Sequence, residues 1–234
     1  MERYEKLKLS LRYFLLGKGY FNAVDALEFA AIYHVGTRKD GVTPELQHQV
    51  EIAHYLRTLL PSFMYPEDTL TVALLHDLLE DYEVEINVIR ARYGDRVADA
   101  CALLDKNGKA RDYYFSELGM DPIGSVVKGA DRIHNLQSMF GAFVRRKQEA
   151  YVSEVETMFL PMLKVARRQF ATQEGAYENI KHVLTSQVHL IKEIHMSPVS
   201  EGGGYNEDID GHYNEDIDGQ GRVTPFGAAP KEDA

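Results

Sequence analysis

A single cysteine, Cys101, is all the thiol chemistry the chain of 234 residues contains. One cysteine excludes an intrachain disulfide framework and any thiolate metal cluster within one chain. It lies in the apolar stretch VADACALL, the setting of a buried small hydrophobe. No apolar run approaches the ~20 residues that span a bilayer, and the opening MERYEKLKLSLRYFLLGKGY lacks a signal peptide's small-residue cleavage site. A cytoplasmic protein with no membrane partner is therefore expected. Net positive charge is missing too. The formal charge is −10, which argues against a general nucleic-acid binder. That charge is uneven: from Ser197 onward nine acids face only Arg222 and Lys231, a net of −7, so the preceding part carries −3. A near-balanced body can hold a basic pocket for an anionic small molecule.

Period-2 alternation is likewise absent, and apolar residues recur at helical spacing up to about His195. The fold class is read as all-α, a single helical domain over 1–196, with 44% hydrophobic residues to fill one core. Helices are expected at about 2–16, 21–34, 44–60, 67–82, 85–93, 95–105, 121–142, 146–170 and 175–195. Thr43-Pro44 and Pro66-Glu67-Asp68 are starts with a mechanism: proline has no N–H to lose in a first turn, and acids there meet the positive end of the helix dipole. Lys106-Asn107-Gly108-Lys109 is a break, and the chain from there to Met120 reads as loop or short helix.

After Met196 the composition turns to Gly, Pro and acids, and 197–234 is expected to be a disordered acidic tail. It carries YNEDIDG twice, at 205–211 and 213–219, a period too short and polar to build a packed repeat. Asp208-x-Asp210-Gly resembles the start of a Ca²⁺ loop, but the later bidentate Glu and the flanking helices are missing, so a solvated tail is the better reading.

The strongest local signal is Leu74-Leu75-His76-Asp77-Leu78-Leu79-Glu80-Asp81, a histidine and three carboxylates in an apolar frame. Ionisable groups in such a frame require partners. On a helix His76 and Glu80 are i, i+4 neighbours, as are Asp77 and Asp81. A lone His-Asp pair reads as a helix end turning polar. This pair is not alone: Asp131 follows another apolar run in Val126-Val127-Lys128-Gly129-Ala130-Asp131-Arg132-Ile133-His134-Asn135, and His48 lies in PELQHQVEIAHYL. Two imidazoles and two carboxylates from three helices make a mixed N/O set suited to Mn²⁺, Fe²⁺ or Zn²⁺.

The order H…HD…D, with HDLLED and KGADRIHN, resembles the HD hydrolase domain of RelA/SpoT-type proteins and of stand-alone small alarmone hydrolases. His34-x-Gly36-x-Arg38-Lys39-x-Gly41, Pro44-x-x-x-His48 and Glu154-x-Glu156-Thr157 extend the resemblance over most of residues 25–170. The resemblance implies an HD-type helical fold, His48, His76, Asp77 and Asp131 as ligands of Mn²⁺ or another divalent ion, and Glu80 and Asp81 as the catalytic pair. It implies a guanine-nucleotide substrate met by Arg38 and Lys39, with Asn135 on its sugar or phosphate side and Lys128 adding charge or else snorkelling to water. His54 falls on another helical face and reads as a packing or surface histidine; His134 reads as structural or as a support behind the ligands; His34 reads as a cap or core residue before a site residue. The chain departs from the pattern in one extra residue between Arg38 and His48, in Glu45 where an aromatic is usual, and in lacking a proline after His48. These changes touch the base pocket, not the ligand set.

The expected activity is removal of the 3′-diphosphate of (p)ppGpp as pyrophosphate. With one helix between residue 171 and the tail, the chain is expected to hydrolyse and not to synthesise. Other nucleotides stay open as substrates (ppApp, a dNTP, a nucleoside monophosphate, NADPH), as does homo-oligomerisation. A non-catalytic nucleotide-binding or antitoxin-type protein is the reading from a different class, and the complete candidate ligand set argues against it. Since the tail cannot offset an ordering entropy of ~1–2 kcal/mol per residue by apolar burial, truncation after Met196 should leave folding, bound metal and turnover intact. A truncated protein that keeps its metal and loses activity would show that the tail completes the site.

Overall fold

The computed structural model describes residues 3–82 and 84–196; the expectation of a disordered tail over 197–234 falls outside the described residues. Within them the fold is helical, with no strand and one isolated antiparallel bridge, between Thr37 and Pro44. The helices are α1 (Arg3–Lys18), α2 (Phe21–Tyr33), α3 (Leu46–Leu56), α4 (Pro66–Leu75), α5 (Leu78–Asp81), α6 (Ile86–Tyr93), α7 (Asp95–Leu104), α8 (Arg111–Leu118), α9 (Gly124–Ser138), α10 (Arg145–Glu154), α11 (Leu160–Gln169) and α12 (Glu174–Met196). Among the described residues no helix is long and apolar enough to cross a membrane.

α4 is the centre of the packing. Every residue from Thr69 to Leu75 is buried, and the helix lies against α2, α3, α7 and α9. Pro66 occupies its first turn with Glu67 and Asp68. Both acids also reach other elements: Glu67 accepts a hydrogen bond from the Asn22 N–H at the start of α2 (2.8 Å), and Asp68 pairs with Arg96 (2.6 Å). α2 fits against α4 because its inward face is Ala23, Ala26, Leu27 and Ala30, small enough for close approach. α3 packs on α4 and α9 together. His54 joins this packing by bonding the Leu7 carbonyl of α1 (2.9 Å), so it serves helix packing. Cys101 is fully buried.

Three expected helices are shorter or more broken than their periodicity suggests. The run expected at 67–82 stops at Leu75, and His76 and Asp77 form a turn before α5. The run at 44–60 is α-helical only over Leu46–Leu56 and continues as a 3₁₀ segment, Arg57–Ser62, in which Pro61 has no N–H to donate to an α-helical ladder. The run at 146–170 contains a π-helical turn, Val155–Phe159. α9 starts at Gly124 and not at 121, because the Asp121 carboxylate caps it, accepting from Ile123 N–H (2.9 Å) and Gly124 N–H (2.5 Å).

Gly129 shows how tightly α9 meets α12. A Cβ there would lie 2.7 Å from Cγ2 of the fully buried Ile180, a branched side chain with little room to turn. Gly129→Ala should therefore destabilise the fold by about 1–3 kcal/mol in urea denaturation, as overpacking does. Gly17→Ala, at an exposed helical position with nothing within 4 Å, should instead stabilise by up to ~1 kcal/mol. Equal effects at the two positions would contradict the packing.

Candidate metal centre and cleft

The break after α4 brings the chemistry together. His76 and Asp77 end the central helix in a turn, His48 comes from the first half of α3, and Asp131 from the middle of α9. Ligand atoms of His48, His76 and Asp131 all lie within 4.8 Å of one another, and the three residues are buried. His48 Nε2 is 3.2 Å from Asp131 Oδ1; Asp77 stands between the two rings, with Oδ1 3.0 Å from His76 Nε2 and Oδ2 3.8 Å from His48 Nε2. These separations suit four donors around one small divalent ion.

The hydrogen bonds test that fit. His76 Nδ1 lies 2.9 Å from the Ala73 carbonyl, which can only accept, so Nδ1 carries the proton. Its Nε2 is buried and has no hydrogen-bond partner, the nearby Asp77 oxygen being out of alignment. A bare buried nitrogen aimed at carboxylates is a ligand atom needing a cation. The electrostatics agree. Burial pulls His76 down, but the Asp77 carboxylate, with Asp131 behind it, outweighs burial and holds it up to about 9. Burial pushes His48 down to about 4, only partly opposed by Asp131. Asp77 and Asp131 stay ionised: burial raises both, but His76 holds Asp77 low and Lys128 holds Asp131 low. The buried Asp131 and the partly exposed Asp77 thus face Lys128 and a proton on His76, and a divalent ion held at the same point would take that proton's place.

The surroundings orient each donor. Gln49 Nε2 donates to Asp77 (3.0 Å), and Asn135 Nδ2 donates to Asp131 (2.7 Å) while its own oxygen accepts from Arg38 (3.2 Å). Lys128 lies 3.2 Å from Asp131 and over the Tyr114 ring; with its side chain 15% exposed it does not reach out to water. Arg38 and Lys39 sit on a tight loop in which Arg38 N–H bonds the Thr43 carbonyl (2.8 Å) and Asp40 caps Val42 and Thr43 (2.9 Å each). The turn needs the left-handed backbone at Gly41, φ 70°. Lys39 lies 5.5 Å from the Phe143 ring centre.

A cleft of about 980 Å³ opens over these residues and is lined by all ten candidates except His76, which lies beneath Asp77. Glu80 pairs with Lys106 (3.0 Å). Asp81 is at the mouth, raised to about 6 by partial desolvation and then by the charges of Asp77 and Glu80. Several lining residues were given no part in the site from sequence. Arg111 and Arg132 share Glu154, with Arg132 stacked on Tyr151 and Phe159, 4.3 and 4.5 Å from the ring centres. Tyr82 donates to Glu45 (2.9 Å) and meets His34 Nδ1 (3.1 Å), so the residue standing where an aromatic is usual is tied to an aromatic from further along the chain.

Residues 26–112 match the HD domain family model. That match covers 87 of the 234 residues and identifies this stretch as similar to an HD domain. The chain is similar in sequence to a GTP pyrophosphokinase of Streptomyces coelicolor, 29% identical over 147 residues, 58% of this chain and 17% of that protein. It is similar also to guanosine-3′,5′-bis(diphosphate) 3′-pyrophosphohydrolases: a probable one of Synechocystis (28% identity, 57% of this chain, 19% of that protein) and one of Aquifex aeolicus (28%, 58%, 20%). The chain thus spans about a fifth of the length of these relatives. Its fold resembles a solved metazoan orthologue of SpoT, described as hydrolysing ppGpp, with a TM-score of 0.54 at 19% identity over 69% of this chain and 94% of that one.

If these donors hold the ion, His76→Ala or Asp131→Ala should reduce bound metal sharply in elemental analysis, because each deletes one of few protein donors. Glu80→Gln should stay loaded. A stripped Glu80→Gln beside a loaded His76→Ala would reverse the assignment.

Proposed function

We propose that this chain is a Mn²⁺-dependent hydrolase that removes the 3′-diphosphate of (p)ppGpp as intact pyrophosphate, leaving GDP or GTP. The observation that carries the reading is the convergence of His48, His76, Asp77 and Asp131 on a bare, buried imidazole nitrogen at the floor of a cleft that also holds Glu80, Asp81, Arg38 and Lys39. The relatives named as 3′-pyrophosphohydrolases support the choice of bond.

A divalent ion bound by the four donors supplies Lewis acidity and makes water easier to deprotonate. The chain's own residues do the rest. Asp81, with an affinity for protons near pH 6, is mostly ionised at neutral pH and can take a proton from water. Glu80, held by Lys106, orients the attack from the same wall. Arg38, braced by Asn135, offers a flat forked cation to a guanine nucleotide, and Lys39 a point charge. Attack of a water oxygen on the phosphorus next to the 3′ oxygen forms one P–O bond and breaks another; the 3′ oxygen regains a proton and the diphosphate leaves whole.

ppGpp with Mn²⁺ should yield GDP and pyrophosphate in chromatography, stop with a chelator, and place ¹⁸O from labelled water in pyrophosphate. Glu80→Gln or Asp81→Asn should slow turnover by roughly 10²-fold or more. The rate should fall as pH drops below about 6, where the Asp81 carboxylate is lost, and Asp81→Asn should lack that limb. Stepwise release of orthophosphate, or activity confined to dNTPs, would overturn the alarmone assignment.

A further inference from the structure

His48 does not stand alone against the cleft. Its Nδ1 is 2.9 Å from Nδ1 of His134, whose Nε2 is 2.8 Å from Glu51 Oε2. The two rings meet edge to face with centres 4.6 Å apart. Glu51 is in turn held by Gln47 Nε2 (3.0 Å), with Arg3 at 3.9 Å. The chain of contacts runs from the protein surface, where Glu51 is 25% exposed, to the nitrogen of His48 that faces Asp131 at 3.2 Å.

The proton positions follow from counting donors. Glu51 can only accept, so His134 Nε2 carries a proton and donates it. With His134 neutral, its Nδ1 is then a lone pair, and the proton between the two rings belongs to His48 Nδ1. A neutral His48 has no second proton, so its Nε2 is a lone pair turned to the carboxylates. The opposite arrangement sets a lone pair of His134 against Glu51 at 2.8 Å, a closer acceptor–acceptor contact than the 3.2 Å between His48 Nε2 and Asp131, and only the latter lies where a bound cation would relieve it. We propose that Glu51 and His134 form a positioning relay that fixes the tautomer and ring orientation of His48, presenting Nε2 to a divalent cation.

This rests on the reading of His48 as a metal donor, and it adds two residues to that reading. His134 and Glu51 do not touch the cleft's reacting groups; they act through His48. His76 has its ring oriented by a simpler route, donating Nδ1–H to the Ala73 carbonyl. Both imidazoles are thus locked with Nε2 outward, one by backbone and one by side chains. A hydrogen bond from the distal ring nitrogen to a carboxylate or a carbonyl also makes the ligating nitrogen more basic.

The test uses the full chain with Mn²⁺ alone, free Mn²⁺ being counted by electron paramagnetic resonance. Glu51→Ala should weaken binding by about 10–100-fold, while Glu51→Gln, which keeps an acceptor for His134, should lose less than about tenfold. Helical circular dichroism and the melting temperature should stay near those of the wild type for both variants. In ¹⁵N-histidine spectra of the metal-free wild type at pH 8, His48 should carry its proton on Nδ1, and Glu51→Ala should shift population to the Nε2–H form. Wild-type affinity in Glu51→Ala, equal losses in Ala and Gln, or a wild-type His48 protonated on Nε2 would overturn the relay; the last holds even if a variant fails to fold. Loss of Mn²⁺ affinity in Glu51→Ala beside a wild type that binds Mn²⁺ and leaves ppGpp intact would uphold the relay and overturn the alarmone reading instead.

Discussion

One buried carboxylate and one at the floor of the cleft, sharing one small volume, are the constraint on which the rest of the architecture depends. Asp77 and Asp131 sit in low dielectric within reach of the same two imidazoles, and like charges there repel strongly. The protein meets this with Lys128 on one side, with amide donors from Gln49 and Asn135, and with imidazole nitrogens that demand a cation. No single helix could place all of these. α3, α4 and α9 must be packed against one another for the cluster to exist, and their apolar faces provide the frame that keeps water out.

That requirement explains local features that would otherwise look like defects. α4 could run on through His76, since Leu78 and Leu79 continue its apolar pattern, yet the chain turns there. The turn lets adjacent residues face one point: His76 from beneath and Asp77 from the cleft side. α9 carries Gly129 two residues before Asp131, allowing α12 to approach and seal the back of the site. Arg132 follows Asp131 and is spent on Glu154 and on two aromatic faces, tying α9 to α10 so that the Asp131 turn is braced from behind.

The cleft above this floor is lined by acids and bases together, which suits a polar ligand better than an apolar one. Arg38 reaches it from a loop whose shape depends on Asp40 and Gly41, and its guanidinium meets Asn135 on α9. The loop is therefore coupled to the same helix that carries Asp131. Glu45, where the resemblance calls for an aromatic, is bonded by Tyr82 and caps the Gly36 N–H (3.2 Å), so the pocket wall is rebuilt from different residues.

Much of this is written in local order along the chain. Helical periodicity, the proline at 66 and the Gly break at 108 are near-neighbour effects, and they read correctly as an all-helical fold whose ends err by a few residues; Pro44 does not start α3 but lies two residues before it and pairs with Thr37. HDLLED, KGADRIHN and Pro44-x-x-x-His48 are likewise compact in sequence, so four donors could be nominated before any geometry was known. What local order cannot carry is which side chains meet across helices. Periodicity continues through the turn at His76 because Leu78 and Leu79 are apolar in either geometry. Glu51 is an ordinary polar residue one turn beyond His48, and His134 is one turn beyond Asp131; their link exists only because α3 and α9 lie side by side. Arg111, Lys106 and Tyr82 come from loops and helix ends with no motif, brought to the cleft by chain folding over long separations. Residue type and spacing set the chemistry available, while packing of separate helices chose which of those groups became neighbours, since burial and hydrogen-bond geometry are properties of contacts and not of positions in a list of residues.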